Sequence, residues 1–500
     1  MPKKLKRGIF LCLCLLVLAC TLSGCYIQSN GMQLHIFSDP IENVDQKCDE
    51  LHYYRFCFLC GCIKKPKNPF GHHDYIDIHN HSHHATGCKN CSVLIGYGWH
   101  SQDQNGMCKT CKQVLTPTPG ITYKESPDKT YARVYFYPGQ EETVIIAPTY
   151  NGLPVKEIGG SAFKNNKSIK AVIIPETVTT VASSAFYNCE NLSVINFPDS
   201  ITSIGSSAFA NCESLTSIRI GNGVTSIGSR AFESCDLLET VTISDSVKTI
   251  GSYAFHNCER LIDVTFGNGV TDIGDHAFED CRRLEKIEVS GNAVAIGEYA
   301  FYRCDRLTEA TLDSGTSIIG NYAFCGCMNL KKVSLSPGIT EIGTSAFDNC
   351  SSLTEIHIPG SVARIGKNAF RHCVSLTKVT LEEGLVTIGH SAFWGCKELT
   401  ELTIPDSVTH IETSAFTACT LHELVLPKSV AEIKDAAFSN CVSISKVYYG
   451  GTESDWDALL PSIGRSNSHL LDAPRFYYSE KRPETFGNYW RFVNGVPTAW

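Results

Sequence analysis

The sequence predicts a repeat solenoid built from short β-strands and short helical turns, preceded by a small cysteine- and histidine-rich domain. Three observations carry this reading. The dipeptide Ala-Phe returns thirteen times between Phe163 and Phe438, at spacings of 23 residues with one of 22. Fixed self-similarity of that length is the signature of a solenoid, whose coils complete one another's cores. Each copy also repeats one apolar pattern, seen in Ala208, Phe209, Cys212, Leu215, Ile218, Ile220, Val224 and Ile227, followed by Gly228. Upstream the composition changes sharply, with eight cysteines and nine histidines between Cys25 and about Leu115.

The first residues of the chain carry an expectation of where it is sent. "MPKKLKRGIFLCLCLLVLACTLSGC" places Lys3, Lys4, Lys6 and Arg7 before an apolar stretch from about Ile9 to Leu22. That is the build of a secretory signal, too short for a spanning helix. Leu22-Ser23-Gly24-Cys25 resembles the bacterial lipobox, which implies residues 1–24 as a lipoprotein signal peptide and Cys25 as the lipid-attachment residue. An ordinary signal peptide cut nearby is the alternative. Either way the mature chain is expected outside the cytoplasm, and with the lipid it is held on the membrane. Loss of the leader removes four cations and no anions, taking the formal charge from -8 to -12. Such an acidic balance disfavours nucleic acid as a partner.

Residues 25–114 read as the cysteine- and histidine-rich module. Cys88, Cys91, Cys108 and Cys111 follow C-x₂-C-x₁₆-C-x₂-C, inside the spacing window of a zinc ribbon, and Cys57 with Cys60 forms a third pair. His100 is an alternative ligand, and the third pair has His52 or a member of the tract His79 to His84 within the same module. Structural zinc is the expected cofactor, while disulfides remain the competing reading for an exported domain this rich in cysteine. No H-E-x-x-H is present, so a catalytic zinc is disfavoured. "LTPTPGITYKESPDK" then reads as a linker over 115–130, and 131–157 as strands that cap the first coil.

Residues 158–449 hold the thirteen repeats. L-x-x-I-x-I has the period-two alternation of a strand, and V-T-x-I is a second extended piece. The glycine that ends it, from Gly205 to Gly389, signals a positive φ or close contact with a neighbouring coil. A-F-x-x-C is expected as a short helical turn. These copies closely resemble the BspA-like leucine-rich repeats of bacterial surface proteins, over about Ile158 to Val447. The resemblance implies a leucine-rich solenoid that mediates adhesion, with a surface or matrix protein or a glycan as partner and no catalysis.

Twelve of the thirteen cysteines from Cys189 to Cys441 occupy one position of the repeat, and a buried cysteine behaves as a small hydrophobe. Asn166 replaces it in the first copy, so the thiol is dispensable. A metal or redox ladder is thus disfavoured, and free thiols in such number point to reducing surroundings. The outward strand positions Asn196, Arg219, Thr242, Thr265, Glu288, Thr311, Ser334, His357, Thr380 and Thr403 are mostly short and polar. They show no aromatic cluster or charge block, so the binding surface is not identified at this level. Tyr187, Tyr302 and Trp394 are scattered aromatics over the core.

Residues 450–500 read as the C-terminal cap and an aromatic hairpin. Trp456, Leu459 and Leu460 are expected on a short helix that plugs the last coil, and Asn494-Gly495 marks a hairpin turn. "NYWRFVNG" resembles cell-wall choline-binding repeats but occurs once, which favours a capping role over sugar stacking. Two rivals to adhesion follow from the residues: a metal-dependent enzyme or metal-binding protein centred on the cysteine- and histidine-rich module, and a purely structural envelope spacer.

Overall fold

The computed structural model describes residues 115–290, 294–313, 315–483 and 487–500, and upstream of these only short strands. The chain divides into two compact units, residues 1–102 with 107–115 and residues 103–106 with 116–500. In the first unit Gln28–Ser29 pairs with Met32–Gln33, and Tyr75–His79, His83–Cys88 and Leu94–Trp99 form an antiparallel sheet. No helix among the described residues is long and apolar enough to cross a membrane.

The second unit is the solenoid, and three ladders join each coil to the next. The V-T-x-I segments form one parallel sheet in register, Ile204 against Ile227 and Ile227 against Ile250. It continues from Glu432–Ile433 back through Thr180–Val181 and Leu153–Ile158 to Ala132–Phe136 and Thr122–Glu125. The L-x-x-I-x-I segments make a second row of parallel strands, divided into three sheets. Eight strands run unbroken from Ser217–Arg219 to Lys378–Leu381. Both strand types bury their Ile and Val and turn polar residues outward, as a half-buried strand must.

The third ladder corrects the sequence expectation. A-F-x-x-C is a chain of tight turns and not a helical turn. Ser184, Phe186 and Asn188 donate their N–H groups to Ser206, Ala208 and Ala210 of the next coil at 2.7–2.9 Å, while Ala185, Tyr187 and Cys189 donate back three residues within their own coil. A helix directs every N–H along its own axis, so it cannot serve both directions. Residues two before and two after the phenylalanine are left-handed, as at Ser184 (φ 57) and Asn188 (φ 59). Asn and Gly tolerate that region best, which accounts for Asn165, Asn188, Asn211, Asn257, Gly326, Asn349, Gly395 and Asn440.

Inside, the thirteen repeat phenylalanines stack as a column, with successive ring centroids 4.8–5.4 Å apart and interplanar angles of 1–16°. The glycine after each V-T-x-I is needed for close approach and not for a positive φ. A Cβ on Gly251 would lie 2.6 Å from the backbone N of Ser229 in the preceding coil. That row ends at Gly389. Its next two members are Glu412 and Lys434, which pair at 2.9 Å.

Both ends are closed. The segment read as a linker is instead part of the N-terminal cap, because Thr122–Glu125 pairs antiparallel with Ala132–Phe136 and Thr118 exchanges hydrogen bonds with Ile145. Tyr137 covers the phenylalanine column, 5.7 Å from Phe163. At the other end Thr452 caps the helix Glu453–Leu459 with a capping box, and Trp456 and Leu459 are buried. Leu460, expected to plug the core with them, is 41% exposed. Ile463-Gly464 begins a fourteenth turn, with Gly464 N–H donating to Ile433 O at 2.6 Å. Asn467 then replaces the next coil: its Oδ1 accepts from Phe438 N–H at 2.9 Å, and its Nδ2 donates to Lys434 O at 3.0 Å. The hairpin Tyr489–Val493 with Val496–Ala499 forms as expected and extends the strand sheet.

Candidate binding surfaces

The cysteine row belongs to the scaffold. All twelve thiols donate to the carbonyl of the preceding coil's phenylalanine at 3.0–3.4 Å. In the first coil Asn166 Nδ2 makes the equivalent bond, to Gly139 O at 2.9 Å. The row is therefore a column of hydrogen-bond donors as well as a column of small apolar plugs, a role that Asn166 signalled. Burial pushes the Cys189 and Cys258 thiols up to about 12 and Cys212, Cys235 and Cys281 well above their ordinary value. A thiol buried and held protonated in this way is a poor nucleophile. Cys325, outside the row and half-buried, is also pushed up to about 12 by burial.

The strand face is more highly charged than its second outward column suggested. Two residues earlier on each strand lies a column of alternating sign: Asp263, Lys286, Glu309, Lys332, Glu355 and Lys378 are register partners in succession. Lys286 and Lys332 reach Glu309 from either side at 3.4 and 3.1 Å, and the bonds from Lys332 and then Lys286 lower its pKa. The sign alternates every 23 residues, a signal readable in the sequence at that period. Over the fifth to seventh coils the face opens into a cleft of about 580 Å³, with Phe266 at its floor and Asp263, Lys286, Glu288, Glu309 and Thr311 around it. Arg219, Thr242, Thr265, Glu288 and His357 are exposed there as expected. Asn196 is not an outward contact residue: its side chain bonds Ile174 N and O at 2.7 and 2.9 Å, filling a gap in the strand row.

The turn face carries the aromatic cluster that the strand face lacks. Arg230, Tyr253, His276, Tyr299 and Tyr322 occupy the position two before the phenylalanine in five successive coils. The guanidinium of Arg230 lies 4.4 Å over the Tyr253 ring, and the next three pairs stack at 4.4, 4.8 and 4.6 Å within 5° of parallel. All five are left-handed, with φ of 56–61°. The coil imposes that conformation, since the same position is left-handed in every repeat, at a cost of about 1–3 kcal/mol for bulky side chains. Tyr302 joins the stack edge-on at 5.4 Å from Tyr299. Trp394 instead packs on His372, and Tyr187 lies under Lys164.

Of the residues singled out for lipid or metal, Cys25, Cys57, Cys60, Cys91, His100, Cys108 and Cys111 lie outside the described residues. Cys88 ends a described strand opposite Tyr75, but its side chain lies outside them too. In the C-terminal hairpin Trp490 is buried, with its ring N–H on Tyr449 O at 2.8 Å, whereas Phe492 and Trp500 are partly exposed.

A family profile described as BspA type Leucine rich repeat region matches in six copies, over residues 148–262, 228–353 and 317–445. The chain belongs to the BspA-type leucine-rich repeat family. A leucine-rich repeat protein of Bacteroides ovatus is 26% identical, superposes with a TM-score of 0.51, and aligns over 72% of this chain and 99% of its own. A leucine rich cell surface protein of Faecalibacterium prausnitzii is 29% identical over 69% of this chain and 97% of its own, with a TM-score of 0.40. A search of curated proteins returned no match. As a BspA-type protein the chain has the repeat solenoid its sequence predicts, with turns in place of the expected helical segments.

Proposed function

We propose that this BspA-type protein is a non-catalytic recognition protein held outside the cytoplasm by a lipid on Cys25, binding a surface or matrix protein or a glycan through its solenoid. The observation that carries this reading is the cleft over Lys286, Glu288 and Glu309, an open, charge-lined surface built on strands whose backbone is fixed by two neighbours each. Rigid strands presenting mixed polar groups suit recognition of an extended polar partner. Burial that raises the Cys258 and Cys325 thiols to about 12 argues against either as an enzyme's nucleophile. In this reading the cysteine- and histidine-rich module, with zinc or disulfides, spaces the solenoid from the membrane.

The test is binding of the full mature chain to panels of immobilised matrix proteins and glycans, beside the variant Lys286→Glu/Glu288→Lys and a chain lacking residues 148–445. The proposal expects a partner whose binding falls at least tenfold in the double variant and vanishes without the solenoid. Retention of binding by the deleted chain would refute it and favour the cysteine- and histidine-rich module.

A further inference from the structure

Beside the ring ladder, the position after each repeat phenylalanine carries Glu233, His256 and Glu279 in three successive coils. His256 is wedged between the two carboxylates, with Nδ1 3.4 Å from Glu233 Oε1 and Nε2 3.7 Å from Glu279 Oε2. Nδ1 is shielded from solvent and forms no hydrogen bond. A neutral imidazole carries one N–H and one lone pair, so at least one of its nitrogens turns a lone pair toward a carboxylate. Two acceptors facing one another call for a positive charge between them.

Asp280 closes the site, since donor atoms of His256, Glu279 and Asp280 all lie within 4.8 Å of one another. Glu279 is held in place by His276 Nδ1 at 2.6 Å, and His276 is itself clamped between the Tyr253 and Tyr299 rings. Outer contacts of this kind orient metal-binding side chains. Three guanidiniums stand around the site and offset part of its negative charge. Arg230 pairs with Glu233 at 2.8 Å, and Arg282 and Arg303 both reach the same oxygen of Asp280, Oδ1, at 3.1 and 3.9 Å.

We propose that His256, Glu279 and Asp280 form a divalent-cation site that ties the fifth coil to the sixth. One imidazole nitrogen and two carboxylates suit Mn²⁺ or Zn²⁺ and disfavour soft ions. Ligand atoms bonded at about 2.1 Å stand roughly 3–3.5 Å apart, so His256 and Glu279, 3.7 Å apart, need a small side-chain adjustment, and the full set, within 4.8 Å, closes by up to about 1.5 Å. The ring ladder then serves as the wall that positions Glu279. A proton on His256 is the competing source of the positive charge, and it makes no demand for Mn²⁺.

The experiment is Mn²⁺ titration of the full chain, with free ion read by electron paramagnetic resonance. Mn²⁺ is a hard ion that thiolate sites do not favour, and loss of binding in the variants separates this site from the histidines of the cysteine-rich module. The expected result is one ion per chain in the wild type and in Glu341→Gln, a distant control, with at least tenfold weaker binding in His256→Gln and in Glu279→Gln. Thermal melts identify any variant that has failed to fold, and the other then decides. No binding at millimolar Mn²⁺, or binding unchanged in both folded variants, would overturn the proposal.

Discussion

The row cysteines whose thiols burial raises make a titration prediction of their own. Because burial raises thiols such as Cys189 and Cys258 to about 12, the unfolded chain gives up their protons near pH 9 while the folded chain keeps them until about pH 12. Stability contributed by the protonated thiols is therefore complete below pH 9 and lost as pH rises through that window, by up to ~1.4 kcal/mol per thiol per pH unit. Melting temperature followed from pH 8 to 11 should fall steeply, and a Cys281→Ser/Cys304→Ser variant should fall less steeply. Asn467 is the other residue on which much depends. Asn467→Ala leaves the buried Phe438 N–H without an acceptor and should cost about 1–3 kcal/mol, seen as faster hydrogen exchange in the last coils. The cysteine position was legible in the sequence because it recurs, and its donor role was signalled only by Asn166. Asn467 occurs once, so no period could announce it.

At the scale of elements, the phenylalanine column and the charged column respond differently to substitution. Phe278→Ala empties a ring-sized space between stacked neighbours 5.1 and 5.3 Å away and should destabilise by about 3–5 kcal/mol in denaturant unfolding. Lys286→Glu sets a third acid between Asp263 and Glu309 on an exposed face, with a cost of roughly 0.5–1 kcal/mol that high salt should largely abolish. Strands were readable from alternation, since that pattern maps directly onto two faces. The A-F-x-x-C turns were misread as helical because a short apolar spacing fits either shape. What separates them is the left-handed residue on each side of the phenylalanine, to which the recurring asparagine was the clue. The ring ladder is hard to read in the sequence for a related reason: its members differ in type, so only aligning the coils brings Tyr253, His276, Tyr299 and Tyr322 together.

For the whole molecule, stability accrues coil by coil, and each coil depends on two neighbours. Hydrogen-exchange protection should therefore peak in the middle coils and decline toward both caps. The proposed anchoring makes a separate demand: Cys25→Ala should move the protein from the membrane pellet to the soluble fraction. The solenoid and its extent could be read before any coordinates because repetition multiplies a weak local signal thirteenfold, whereas caps and surfaces are written once. The central claim is that the cysteine row is scaffold rather than chemistry. Its most direct test is mass-spectrometric alkylation of the anaerobically purified mature protein, native and then unfolded. Twelve row thiols unlabelled while native and all labelled after unfolding is the expected result. Row cysteines joined in disulfides, or modified in the native state, would contradict it.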